Sequence, residues 1–348
     1  MIIEGGKPDI LVSIIIVNYN SVDYLRMCLD SIYASTNKAS YEIIVIDNAS
    51  RDNTFNLLSP RYPEVSFIKN EKNSGFAHAN NQGIFLARGK YLLLLNPDTL
   101  VIDDAIDVMV NFLESNPNAG ACGCKVLNED GSLQPSVFGF PTLLKELGHL
   151  FRVDRVRWLT AMLRSSKLLS KISRTNFGDI RSIDAAVKVD YLLGACLMLR
   201  ASLIARLGPL DDKIFMYIED TEICYRISTN GHGVFYVPYG EIIHFGGKSA
   251  ATDDQRMLLE YTRSRLYFYR KYYGSYKTFA LKAIIIVDML VKMLTIWFLK
   301  YRSEMQQIQT RYKNTDHSEK SVSYIATLPA RVQSLKLYCS IVRMVITY

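Results

Sequence analysis

The sequence predicts an α/β protein built on a largely parallel sheet. Three observations carry this. Short β-branched or leucine-rich runs alternate with helical patterns at the pitch of βαβ units. The runs are apolar throughout, as strands buried on both faces must be. Three of them end abruptly in a polar cluster, at Asn18, Asp47 and Asp98. If the strands are parallel, those clusters share one edge, the carboxyl edge where open α/β sheets bind ligands.

The first run is residues 11–17, Leu-Val-Ser-Ile-Ile-Ile-Val, stopped by Asn18-Tyr19-Asn20-Ser21. A helix is expected from Val22 to Ala34, with Leu25, Leu29 and Ile32 on one face. A second strand, Tyr41 to Ile46, ends in Asp47-Asn48-Ala49-Ser50. A short helical segment near Asn53–Leu58 leads to a strand at Val65–Ile68. The turn Asn73-Ser74-Gly75-Phe76 then enters a helix carrying Asn80. The run Tyr91 to Leu95 ends in Asn96-Pro97-Asp98. Proline cannot continue the ladder, so the Asp98 carboxylate is presented at the strand end. There it is the natural ligand of a divalent cation, although Asp in a turn is also ordinary loop chemistry. The first strand is followed by neither a G-x-G-x-x-G turn nor a Walker loop, so phosphates would be held differently, through a metal on Asp98.

The chain has 348 residues, 49% hydrophobic and 22% charged, a folded composition with room for one large α/β domain and an appendage. A net charge of +7 without a nucleic-acid recognition motif points to phosphate ligands or anionic lipid, not to nucleic acid. The six cysteines lack the spacing of a zinc site or a disulfide scaffold and are expected reduced, in a cytosolic setting. No apolar segment of signal-peptide length precedes the first strand, so export by that route is not expected.

Taken in order, Val12–Asn20, Val45–Ser50, Asn73–Ala77, Leu95–Asp98, Gly194-Ala195-Cys196, Phe215–Glu222 and His244 resemble the inverting family 2 glycosyltransferases, rhamnosyltransferase-like members in particular. The matching elements span roughly residues 10–250. The resemblance implies a GT-A fold, here over residues 10–275, and the residue pattern adds a basic amphipathic insert near 141–183 and a helical, membrane-associating extension over 276–348. It implies that Asn18 and Asp47 line the base and ribose pocket of a dTDP- or UDP-linked sugar. Asn20, Asn73, Gly75, Phe76, Asn80, Asn96, Gly194, Ala195 and Glu219 complete the donor site. Asp98 and His244 would hold Mn²⁺ or Mg²⁺, with Asn96 standing where the family usually has the first Asp of Asp-x-Asp. Asp220 would be the catalytic base. The implied acceptor is a glycan, polyprenyl-diphosphate-linked in many relatives, at the inner face of the cell membrane.

Several residues carry a second reading. Acidic residues at 219–222 also suit the positive end of a helix. Gly194 and Ala195 also suit tight packing. Asn80 also suits a helix lining, and Asp190 a strand edge. Arg226 is expected to pair with Glu222, and Lys248 is a solvated lysine or a diphosphate contact. Residues 280–299 have the length of a bilayer span, but Lys282, Asp288 and Lys292 interrupt them. An in-plane or docked amphipathic helix with Ile285, Met289 and Trp297 on its apolar face is expected over a true span. The basic segment Leu143–Arg181 would lie on anionic lipid or cover the sheet. Other classes compatible with the layout are a UDP-hexose transferase, a nucleotidyltransferase lacking its usual glycine-rich loop, and a silent glycan- or lipid-binding scaffold.

Overall fold

The computed structural model describes residues 10–151, 184–246, 254–313 and 322–348. The chain divides into two compact units, Met1–Phe140 with Ser173–Ser264, and Pro141–Ile172 with Arg265–Tyr348.

In the first unit, β1 (Val12–Asn18), β2 (Tyr41–Asp47), β3 (Ser66–Lys69) and β4 (Tyr91–Leu95) pair in parallel, in the order β3-β2-β1-β4. β1 and β4 are buried at every position, which is why their sequences are continuously apolar. α1 (Val22–Ala34), α2 (Thr54–Leu58) and α3 (Phe76–Leu86) make the connections. α1 seats Leu25, Cys28, Leu29 and Ile32 in the core, the face read from its periodicity.

Beyond β4 the sheet turns mixed. β5 (Thr99–Ile102) and α4 (Ala105–Ser115) lead to β6 (Ala119–Leu127). After β7 (Val137–Phe138), β8 (Val187–Val189) and β9 (Tyr191–Leu192) comes β10 (Cys196–Arg200), antiparallel to both β4 and β6. α6 (Ala201–Leu207) and α7 (Glu219–Thr229) precede β11 (Gly233–His244), which runs parallel to β6 and antiparallel to β5. The parallel layout read from the amino-terminal βαβ units therefore gives way here to a mixed sheet, in which β6 and β11 still pair in parallel. The later strands arrive through connections whose direction hydrophobicity does not encode. Cys122 and Cys124 lie in one core cluster.

In the second unit, α5 (Leu143–Phe151) and α10 (Val322–Thr347) pack on the long α9 (Gly274–Lys313). Arg265, on α8 (Asp254–Tyr272), forms an ion pair with Glu146 of α5. Leu281, Ile285 and Met289 of α9 are buried, as are Ile341 and Val345 of α10. The apolar side of α9 is thus divided. Tyr276, Phe279, Val287, Leu290, Leu294 and Trp297 form a second, exposed stripe at helical spacing, with Trp297 61% exposed. Asp288 pairs with Lys292 at 2.7 Å, one turn apart. Among the described residues, no helix is long and apolar enough to cross a membrane. Most of the basic segment Leu143–Arg181, and Lys248, lie outside the described residues.

Candidate active site

The register of β1 and β2 sets Asn18 directly beside Asp47, and both are buried. Asn18 Nδ2 donates to Ser50 Oγ and Thr54 Oγ1, each at 3.1 Å. Its Oδ1 is buried without a partner, an acceptor that ordinary packing would not leave bare. Asp47 accepts from the Ser50 backbone N–H at 3.2 Å. Asn20 takes a left-handed backbone, receives Arg51 N–H on Oδ1 at 2.7 Å, and so ties the first turn to the second.

Asn48 organises the next turn, and no periodicity marked it. Its Nδ2 donates to Asn73 Oδ1 (3.0 Å) and Gly75 O (3.2 Å). Its Oδ1 accepts from Asn70 Nδ2 (3.0 Å) and Ser74 N (3.2 Å). The signal was present: an amide in a polar cluster can satisfy donors and acceptors at once, as the neighbouring Asp cannot. Gly75 has φ of 95°, and a Cβ there would stand 2.6 Å from Phe215 O. The Phe76 N–H reaches the same Phe215 carbonyl. Glycine is what lets this turn close onto the 215–220 segment. Asn80 is buried, with Nδ2 bonded to Phe76 O at 3.0 Å, so its amide serves its own helix.

That segment ends in strain. Tyr217 (φ 66°) and Ile218 (φ 71°) are successive left-handed residues, costly for a β-branched side chain. They deliver Glu219 and Asp220 to the first turn of α7. Asp220 Oδ1 accepts Thr221 N–H at 2.6 Å, and Oδ2 accepts Gly194 N–H at 3.0 Å. A Cβ on Gly194 would lie 3.3 Å from Asp220 Cβ, so Gly194 is small against this carboxylate. Burial raises the Asp220 pKa, while those N–H groups pull it back. Glu219 has only its own backbone N–H for such support. Burial first, then the adjacent Asp220 charge, push it up to about 8, and its Oε2 is buried without a partner. Of the two, Glu219 is the carboxyl driven towards its protonated form, while Asp220 has the N–H groups that favour its charge. Burial and the Asp220 charge likewise keep the Tyr191 phenol protonated.

The Gly194-Ala195 turn connects this pair to the Asp98 loop, because Ala195 O accepts Asn96 N–H at 3.0 Å. Asn96 Nδ2 lies 3.3 Å from His244 Nε2. The antiparallel pairing of His244 with Thr99, and a Phe245 N–H bond to Asp98 O at 3.0 Å, bring the two loops together. His244 Nε2 then stands 3.3 Å from Asp98 Oδ1, which is buried and accepts no hydrogen bond. Two atoms binding one metal ion at about 2.1 Å and a right angle are about 3 Å apart. An orphaned carboxylate oxygen facing an imidazole nitrogen fits a divalent cation. Among the described residues, no third His, Cys, Asp or Glu joins them, so other ligands would have to come from a bound diphosphate and water.

Asp190 accepts Phe140 N–H at 2.9 Å, a structural contact. Arg226 meets Glu222 at 2.8 Å, as its spacing suggested, and also bonds the carbonyls of Leu207, Gly208 and Pro209.

The sequence model described as "Glycosyl transferase family 2" matches residues 13–159. The curated N-acetylglucosaminyl-diphospho-decaprenol L-rhamnosyltransferase of Mycobacterium tuberculosis is 26% identical over 271 residues, 73% of this chain and 82% of that protein. Residues 13–159 are a family 2 glycosyltransferase domain, and the chain is a glycosyltransferase. The family member rhamnosyltransferase WbbL of Escherichia coli is 29% identical over 68% of this chain and 83% of its own length. Among solved structures, that of GalNAc-T7 with UDP, GalNAc and Mn²⁺ superposes with a TM-score of 0.51 at 17% identity. It covers 76% of this chain and half of its own. That likeness supports the GT-A fold.

Proposed function

We propose that this glycosyltransferase is a metal-dependent inverting enzyme that moves rhamnose from dTDP-L-rhamnose to a hydroxyl of a lipid-linked glycan. One observation carries the reading. The Gly194-Ala195 turn is hydrogen-bonded on one side to Asp220 and on the other to the loop holding Asp98 beside His244. A proton acceptor and a diphosphate anchor are thereby set on one frame.

The acceptor hydroxyl attacks the anomeric carbon from the face opposite the diphosphate. The new C–O bond forms as the old one breaks, its electron pair passes to a diphosphate oxygen, and the hydroxyl proton moves to Asp220. Burial strengthens Asp220 as a base, and the Thr221 and Gly194 N–H groups hold its carboxylate in place. Glu219, protonated, can donate to a sugar hydroxyl without repelling the diphosphate. When bound, the cation neutralises charge on the departing diphosphate. Asn18 Oδ1 and Asp47 are acceptors for base and ribose donors, and the Asn48-ordered turn shapes the donor pocket.

The rhamnosyl donor and polyprenyl-linked acceptor rest on the names of the two relatives. The exposed stripe of α9 supports peripheral binding at the inner membrane face, where such an acceptor would be met. The test measures nucleoside diphosphate release from dTDP-rhamnose and UDP-hexoses, with Mn²⁺ or EDTA, in the presence of membrane lipid extract. The expected result is release from dTDP-rhamnose alone, abolished by EDTA. Release from a UDP-hexose instead would replace the donor, and release undiminished by EDTA would remove the metal. Flotation with anionic liposomes checks the membrane arm. Failure to float at low salt would sink it.

A further inference from the structure

The turn between β6 and β7 holds a chain of hydrogen bonds whose polarity is set from one end. Asp130 is a carboxylate, and its bonds from Ser132 hold it below the ordinary range, so it only accepts. Ser132 Oγ therefore donates to Asp130 Oδ1 (2.6 Å) and is left to accept from Asn128 Nδ2 (2.9 Å). Asn128 then turns Oδ1 towards Gln134 Nε2, at 2.8 Å. Gln134 Nε2 also donates to the backbone oxygen of His244 at 3.1 Å. Its amide orientation is thus fixed twice, and Oε1 faces His244 Nδ1 at 2.6 Å. An amide oxygen only accepts, so Nδ1 must carry a proton. On the far side of the ring, Asn96 Nδ2 is a donor to Nε2.

We infer that Gln134 is a positioning residue that fixes His244 as the Nδ1–H tautomer, leaving the Nε2 lone pair aimed at Asp98. The link from tautomer to function rests on the reading of Asp98 and His244 as cation ligands. Neutral imidazole binds metal through its bare nitrogen, and the partner of the other nitrogen selects which one that is. Gln134 acts through His244 and would not itself touch metal or sugar. An isosteric side chain without an acceptor frees the ring to adopt the opposite tautomer, which presents N–H to Asp98 and repels a cation.

The test uses the full-length, metal-free protein labelled with ¹⁵N-histidine, above the ordinary histidine titration range. Parent protein should show His244 Nε2 unprotonated and Nδ1 protonated. Gln134→Met should mix the tautomers and weaken Mn²⁺ binding, read by electron paramagnetic resonance of the free ion, by about ten- to hundred-fold. Gln134→Glu keeps the acceptor but gives up both donations, to Asn128 and to the His244 carbonyl. It should restore the tautomer and the Mn²⁺ affinity, which separates ring orientation from mere bracing of the loop. A parent His244 protonated on Nε2, an unchanged tautomer in Gln134→Met, or a Glu variant as poor as Met would each overturn the inference. His244→Ala separates the two claims. If Mn²⁺ affinity survives that change, the metal reading fails, while the ring spectra of the other samples still judge Gln134.

Discussion

The two halves of the candidate site are built on opposite principles. The turns after β1 and β2 form a lattice of amides in which nearly every group is matched, with Asn48 bonded to Asn70, Asn73, Ser74 and Gly75. The ledge at the start of α7 is the reverse: two left-handed residues, a pair of buried adjacent carboxylates, and an oxygen without a partner. A lattice of satisfied bonds holds a pocket in shape before anything binds. An under-satisfied, strained ledge stores the cost of keeping a base reactive. The difference teaches that stability and reactivity are separable here, residue by residue.

Asp220→Asn should press hardest on that contrast. It keeps the shape but removes the base, and its single amide oxygen can accept only one of the Thr221 and Gly194 N–H groups, so kcat should fall by about 10²–10⁴-fold. Donor binding, measured by calorimetry, should persist. Retained turnover would take Asp220 out of the role of base. On the lattice side, Asn48→Ala leaves several buried donors and acceptors unmatched and should cost about 3 kcal/mol in urea unfolding. A loss below about 0.5 kcal/mol, the level of an ordinary surface change, would dissolve the distinction between the two halves. Gly75→Ala forces a side chain into a left-handed position against the Phe215 carbonyl. About 1–2 kcal/mol is expected from the backbone alone. Its donor affinity should fall with its stability, because the turn can no longer close.

The remaining effect is one of pH. The folded pKa of Glu219 lies above its unfolded value, so the folded state binds the extra proton between about 4.5 and about 8. Stability from this group is full below that window and is lost as pH rises through it. Glu219→Gln should flatten the decline, read as melting temperature against pH. An identical slope in parent and variant would remove Glu219 as the source.

How much of this was legible beforehand differs between the halves for physical reasons. The strands β1, β2 and β4 and the helix α1 announce themselves, because burial on two faces or one leaves a period in the sequence. The strand-end positions of Asn18, Asp47 and Asp98 follow from that period together with parallel topology. Asn48 and Gln134 left no such trace, since their work depends on partners up to 110 residues away. The antiparallel entry of β10 was equally silent, as direction is set by the connections and not by hydrophobicity. Asn80 has two readings, donor pocket and helix lining, and its Nδ2 bonds Phe76 O of its own helix.

The in-register pairing of Asn18 with Asp47 has a consequence for how competence appears during folding. Side chains alternate across a strand, so a slip of one residue would send Asp47 to the opposite face and replace it with Ile46 or Asn48. No gradual series leads from the wrong pairing to the right one. On the proposed reading of Asn18 and Asp47, nucleotide recognition is therefore quantised: a molecule has the whole cradle or none of it. Titrating refolding protein with donor would count correctly paired sheets one by one, and partly ordered chains would register as zero.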